Sequence, residues 1–268
     1  MGKIIGVIAI KGGVGKSSVA ANLAACLAQH YQKKVLAIDA NFSAPNLGLH
    51  FGLVHPKVTL HHVLADQTDV AEAVYEYEKN LHLIPGSFLA HRISPFKLKQ
   101  KIHKLANHYD FVILDSSPNM NDEILATMIA SDELIVVANP DYPTMAMTMH
   151  AVKVAKERQV PIIGIVLNRV HGKSFELTLD DVEKATKTPV LAVIPEDLNI
   201  QASIAETTPA AISYQYTDAA VEIRKLAAAL IGEEYRDPRL MGFFKRVFRG
   251  QIGKDEVNRA LLREGKLY

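Results

Sequence analysis

The stretch IIGVIAIKGGVGKSS, residues 4–18, restricts the fold of this chain more than any other. Residues 4–10 are an unbroken apolar run of strand length. Gly12, Gly13 and Gly15 crowd the turn that follows, and a helical spacing of apolar residues starts at Ser17. Strand, glycine turn, helix is the context in which the pattern G-x-x-x-x-G-K-[ST] carries meaning. The pattern's first glycine falls at Ile10 and does not match, whereas Gly15, Lys16 and Ser17 do. Gly12 and Gly13 let the backbone close around phosphate oxygens with its N–H groups inward, and Val14 and Ser18 complete the loop. A helix opening near Lys16 adds the positive end of its dipole. Lys16 is expected on the β- and γ-phosphates and Ser17 on Mg²⁺. Such a loop needs one lysine, so the second, Lys11, has no role in this pattern.

Further apolar runs of strand length lie at 35–38, 81–84, 111–114, 134–138, 162–167 and 190–194. They do not alternate with polar residues, as expected of strands buried on both faces of a parallel sheet. Helix-period stretches at 17–31, 95–108, 123–130, 144–158, 179–186 and 218–230 separate them. This order predicts right-handed crossovers in a doubly wound, mostly parallel α/β sheet flanked by helices. Polar, proline-containing sequence follows Leu230, so residues 1–231 read as one domain, 232–238 as a linker, and 239–250 and 251–268 as an appendage. The stretch EAVYEYEK at 72–79 reads as a solvated helix face, and His61 and His62 as surface residues without metal spacing.

The net charge of +1 argues against a nucleic-acid partner. The single cysteine, Cys26, allows no intramolecular disulfide, and no run approaches the roughly 18 apolar residues of a membrane span. A cytoplasmic protein is the expectation.

The form K-G-G-x-G-K-[ST] resembles the deviant Walker A motif of the MinD/ParA family of P-loop ATPases, nearest its MinD-like, septum-site-determining branch. The similarity runs over about residues 3–249. It implies that Lys11 reaches across a two-fold interface to the partner's nucleotide, making ATP binding and dimerisation one event. It also implies that VLAIDANFSAPNLGLHFGL is the first switch, with Asp39 holding the metal-bound or attacking water. The family's second aspartate is replaced here by Asn41, which orients a water but cannot take its proton. In FVILDSSPNMND, Asp115 ends a buried strand and is expected to hold Mg²⁺ through water; capping the following loop is its other reading. Asn168, with Arg169 beside it, and the Pro195–Glu196–Asp197 loop are implied to flank adenine, with loop capping the alternative for Asn168. Iron–sulfur relatives need cysteine pairs that this chain lacks. Met145, Met147 and Met149 read as filler or a weak partner surface.

In RLMGFFKRVFRG, Leu240, Met241, Phe243, Phe244, Val247 and Phe248 fall on one helical arc, with Lys245, Arg246 and Arg249 opposite. That pattern fits a helix lying in a membrane interface. The segment is similar to the membrane-targeting helix of the MinD-like branch, and docking on its own domain or on a partner is the alternative. Residues 251–268 go beyond that resemblance and have no assigned role.

The expected function is an ATPase switch that dimerises on ATP and binds the inner face of the cell membrane reversibly. It would position a partner or cargo, such as the cell-division site, and answer to an unidentified activator. The competing expectation is a ParA-like or hydrolysis-impaired adaptor acting through protein or DNA contacts.

Overall fold

The computed structural model describes residues 2–89, 93–235, 237, 258–259 and 262–263. Among these, the strands are β1 (Lys3–Ile8), β2 (Val35–Ala40), β3 (Tyr75–Glu78), β4 (Leu81–Ile84), β5 (Phe111–Ser116), β6 (Glu133–Ala138), β7 (Ile162–Val170) and β8 (Val190–Pro195). The α-helices are α1 (Lys16–Gln29), α2 (Leu60–Leu64), α3 (Leu98–Ala106), α4 (Asp122–Ala130), α5 (Tyr142–Glu157), α6 (Leu179–Thr186), α7 (Leu198–Ala205), α8 (Ala210–Ser213) and α9 (Asp218–Leu230). The strands form one sheet in the order β3-β4-β2-β5-β1-β6-β7-β8, with every pairing parallel except β3–β4.

The unbroken apolar strands are covered on both sides. On one face Val7, Ala37, Ile113 and Val137 meet Leu23 and Leu27 of α1 and Ile223 and Leu226 of α9. On the other, Ile38 and Leu114 meet Leu98 and Ile102 of α3, while Val136 meets Ile124 and Met128 of α4. Helix α1 is apolar on nearly all sides, as a helix buried in the core should be. Cys26 lies within it, and burial pushes its thiol up to about 12, so it is a small core residue without thiolate reactivity.

Two expectations are corrected. Residues Tyr75–Glu78 are a strand antiparallel to β4, not a helix face. YEYE alternates with period two, and its tyrosines and glutamates alternate between half-buried and exposed. His61 is buried and not a surface residue. Its Nδ1 accepts the Ser87 N–H at 3.0 Å while its Nε2 faces the Phe42 carbonyl at 3.0 Å, so it ties two loops together. The short helices α2, α7 and α8 were absent from the sequence expectation. The residues Leu240, Met241, Phe243, Phe244, Lys245, Arg246, Val247 and Phe248 lie outside the described residues.

Candidate nucleotide site

The central strands β1 and β5 end side by side, and the loop after β1 closes over them. Gly15 caps α1 with a φ of +89°, and a Cβ there would lie 2.2 Å from the Asn168 amide nitrogen. Backbone conformation and close approach therefore both require glycine. Gly13 also has positive φ and faces open space, and Gly12 is exposed beside it, leaving a hollow loop at the start of α1. Ser17 and Ser18 occupy the first turn, half-buried.

Lys16 reaches from that turn to Asp115 Oδ1 at 2.5 Å, with the two side chains 7% and 0% exposed. The other carboxylate oxygen of Asp115, Oδ2, is buried and has no hydrogen-bond partner. Asp39 pairs with Asp115 across β2 and β5. Its Oδ2 accepts the Leu47 N–H at 2.9 Å and its Oδ1 the Asn41 N–H at 3.2 Å. Burial, and then the Asp115 carboxylate, push Asp39 up to about 8, against the opposing pull of those amides and Lys16. Two adjacent carboxylates with one lysine and an orphaned oxygen form a site short of positive charge. A divalent cation fits that deficit. Among the described residues, no group of three His, Cys, Asp or Glu side chains gathers elsewhere to hold a metal.

Asn41 is 3% exposed, and its amide closes on its own loop. Nδ2 donates to the Ala44 carbonyl at 2.5 Å, and Oδ1 accepts the Ala44 N–H at 3.3 Å. The next residue but one, Ser43, donates its N–H (3.2 Å) and its hydroxyl to the Glu123 carboxylate on α4. Asn121 caps that helix, accepting the N–H groups of Glu123 and Ile124 at 3.2 Å each. The loop after β2 and the helix after β5 are thus joined. Asn121 was legible as a cap before Asp122 and Glu123. Glu123 and buried His50, whose pKa is lowered chiefly by burial, were not singled out in the sequence.

A second hollow adjoins the glycine loop. It is open to solvent and is lined by Ser18 and Val19 of α1, Asn168, the 195–197 loop, and the apolar Ile194, Ile200, Ile204 and Ile223. Asn168 donates to the Val14 carbonyl at 2.7 Å, locking the end of β7 onto the loop. Arg169, at φ +58°, turns out and approaches Glu196 at 3.7 Å. Asp197 caps α7 by accepting the Asn199 N–H at 2.8 Å. Lys11 is engaged on α5. It donates to Thr144 Oγ at 3.0 Å and Asp141 Oδ1 at 3.3 Å, at the start of α5. Beside that contact, Tyr142, Met147 and Met149 are exposed and Met145 is buried.

A parallel sheet carrying a glycine loop, its lysine and two strand-end aspartates defines a P-loop nucleotide-binding domain. A sequence profile described as "AAA domain" matches residues 2–160. An uncharacterized ATP-binding protein of Methanocaldococcus jannaschii is 33% identical over 91% of this chain and 94% of its own length. The septum site-determining protein MinD of Thermotoga maritima is 30% identical over 75% of this chain and 78% of its own. Among solved structures, the Pyrococcus furiosus cell division ATPase MinD superposes with a TM-score of 0.81 at 33% identity, covering 85% of this chain and 97% of that one. MinD from Pyrococcus horikoshii, complexed with Mg-ADP, gives 0.81 at 31% identity, covering 85% and 95%. The chain belongs to the MinD/ParA family of P-loop ATPases.

Proposed function

We propose that this chain is an ATP-driven switch of the MinD type, which dimerises with ATP–Mg²⁺ bound and then attaches to an anionic membrane surface to position a partner. The observation that carries the reading is the pair Lys16–Asp115, with the second oxygen of Asp115 buried and unpartnered beside Asp39. Mg²⁺ would supply the positive charge that these carboxylates lack, held through Ser17, Asp39 and Asp115. Lys16 exchanges Asp115 for the β- and γ-phosphates. The N–H groups of residues 12–18 cradle those phosphates, and the hollow beside Asn168, Arg169 and the 195–197 loop takes the adenine.

Lys11 rests on Asp141 and Thr144 in the single chain, with its side chain 41% exposed. We assign it the cross-subunit contact, which needs only that it leave these two groups for the partner's nucleotide. In this reading residues 1–231 are the ATPase domain, 232–238 the linker and 239–250 the membrane segment. Among the described residues no helix is long and apolar enough to cross a membrane. One observation favours the adaptor reading: the Asn41 amide is occupied by Ala44 and is not a base, which supports slow hydrolysis.

The test is calorimetric titration with ATP–Mg²⁺. The wild type binds, and Lys16→Ala loses binding by at least about tenfold, because a charge-assisted phosphate contact disappears. Equal affinities would remove the phosphate-loop assignment.

A further inference from the structure

The loop after β2 is held from outside by one carboxylate of α4. In that loop Asn41 and Phe42 are buried, while Ser43 and Ala44 are exposed. Both flanks of Ser43 are fixed on the body of the protein. The Phe42 carbonyl faces His61 Nε2 at 3.0 Å, and Gly86 lies so close against Pro45 that it leaves no room for a Cβ. Ser43 turns the other way, to Glu123 in the first turn of α4. Its N–H donates to Glu123 Oε2 at 3.2 Å and its hydroxyl to Oε1. One carboxylate thus takes both donors of one residue, and both bonds are charge-assisted.

Ser43 sits inside the closure that occupies Asn41. The Asn41 amide donates to the Ala44 carbonyl at 2.5 Å and accepts the Ala44 N–H at 3.3 Å, while the Asn41 backbone N–H donates to Asp39 Oδ1 at 3.2 Å. With Ser43 pinned to α4, Ala44 stays opposite Asn41 and the amide stays turned onto its own loop. Glu123 is itself fixed. Asn121 Oδ1 accepts the N–H groups of Glu123 and Ile124 at 3.2 Å and the Ser117 hydroxyl at 3.1 Å. Ser117 stands two residues after Asp115, so the chain of bonds runs from the loop of one site aspartate to the loop of the other. Ser43 is exposed, so water competes for Glu123 and the contact opens at modest cost.

We propose that Glu123 is a positioning residue for ATP hydrolysis: by holding Ser43 it keeps the Asn41 amide closed on Ala44, and its release lets that amide turn to the reacting water. The proposal rests on the ATPase reading above. Glu123 acts through Ser43 and Asn41 and takes no proton itself. The freed Asn41 Oδ1 accepts an O–H of the water and orients it. The water oxygen then bonds to the γ-phosphorus, and the bond from that phosphorus to the bridging oxygen breaks. ADP leaves with the electron pair, and the water's protons pass to phosphate and solvent. Slow turnover in the closed arrangement follows from the strap as well as from the missing carboxylate at position 41.

The test measures phosphate release at saturating ATP–Mg²⁺, and calorimetric affinity for a slowly hydrolysed ATP analogue, in the full chain. The variants are Glu123→Ala, Glu123→Gln and Ser43→Ala, with Glu123→Ala also made on an Asn41→Ala background. Glu123→Ala raises kcat at least about threefold, as the loss of a charge-assisted hydrogen bond allows, while analogue affinity keeps the wild-type value. Ser43→Ala gives a smaller rise, because its N–H bond to Glu123 remains, and Glu123→Gln lies between wild type and Glu123→Ala. On the Asn41→Ala background, Glu123→Ala leaves the rate where Asn41→Ala alone sets it, since the amide through which Glu123 acts is gone. A kcat that stays level or falls in both Glu123→Ala and Ser43→Ala overturns the proposal. So does a rise of equal size on the Asn41→Ala background. Ser43→Ala leaves α4 untouched, so it carries the test if Glu123→Ala fails to fold. Analogue binding without turnover in any of these chains overturns the positioning role alone. A wild type that does not bind the analogue locates the failure in the ATPase reading, and the positioning role falls with it.

Discussion

Replacing Asn41 by aspartate separates two consequences of one side chain. The Asn41 amide both donates to and accepts from Ala44, at 2.5 Å and 3.3 Å, in a position 3% exposed. A carboxylate keeps the acceptor and loses the donor, and it sets an oxygen against the Ala44 carbonyl. The lost hydrogen bond is worth about 1 kcal/mol, and the carbonyl left without a donor adds a desolvation cost of similar size. The new carboxylate also sits within two residues of Asp39, which burial and Asp115 already push up to about 8. A net loss of about 2 kcal/mol in the nucleotide-free protein follows. At about 2–4 °C per kcal/mol for a chain of this size, that is a fall of roughly 4–8 °C in Tm. Excess Mg²⁺–ATP narrows the gap, since the added carboxylate then faces a cation. Turnover measured by phosphate release rises, because a carboxylate is restored near the reacting water. The assay is differential scanning fluorimetry with and without nucleotide, alongside steady-state hydrolysis. An Asn41→Asp protein that melts with the wild type without nucleotide would refute the loop-closing role of the amide. A wild-type rate equal to or above the variant's would refute the account of slow hydrolysis.

Two further perturbations test other parts of the account. Burial lowers the His50 pKa below its ordinary value of 6.5, so the folded chain binds fewer protons than the unfolded chain just below that pH. The associated stability is present above about pH 6.5 and is lost as pH falls through the lowered value. His50→Gln should flatten the acid side of a Tm–pH profile, and a profile of unchanged slope would show that His50 is not the group responsible. Phe244→Glu puts a charge in the middle of the apolar arc of 239–250 and should abolish ATP-dependent flotation on anionic vesicles while calorimetric ATP affinity stays the same. Full flotation of that variant would assign the segment to another surface.

The local signals were the legible ones. The apolar runs gave seven of the eight strands among the described residues because each is buried on both faces and needs no partner to be recognised. The eighth, Tyr75–Glu78, is a four-residue edge strand, and YEYE fits a polar helix face as well as a period of two until β4 lies beside it. His61 could not be assigned from sequence. Its burial comes from Phe42 and Ser87, 19 and 26 residues away, which tertiary structure alone brings to its two nitrogens. Within the site, Gly15, Lys16 and Asp115 follow from strand, loop and helix. By contrast, Asn41 turning onto Ala44 and Glu123 taking Ser43 depend on how the two loops meet. The chain end was the least legible. There Asn258 donates to Glu183 and Val190, and Arg259 to Leu191 and Glu222, partners that lie 37 to 75 residues back on α6, β8 and α9.

The coupling of nucleotide to dimerisation through Lys11 is the central claim, and mass measurement tests it most directly. Light scattering after gel filtration, with a slowly hydrolysed ATP analogue and Mg²⁺, should show the wild-type mass doubling over the nucleotide-free protein. Lys11→Ala should bind the analogue with wild-type affinity and remain at the single-chain mass. A Lys11→Ala protein that doubles its mass at the same analogue and protein concentrations as the wild type would contradict the account.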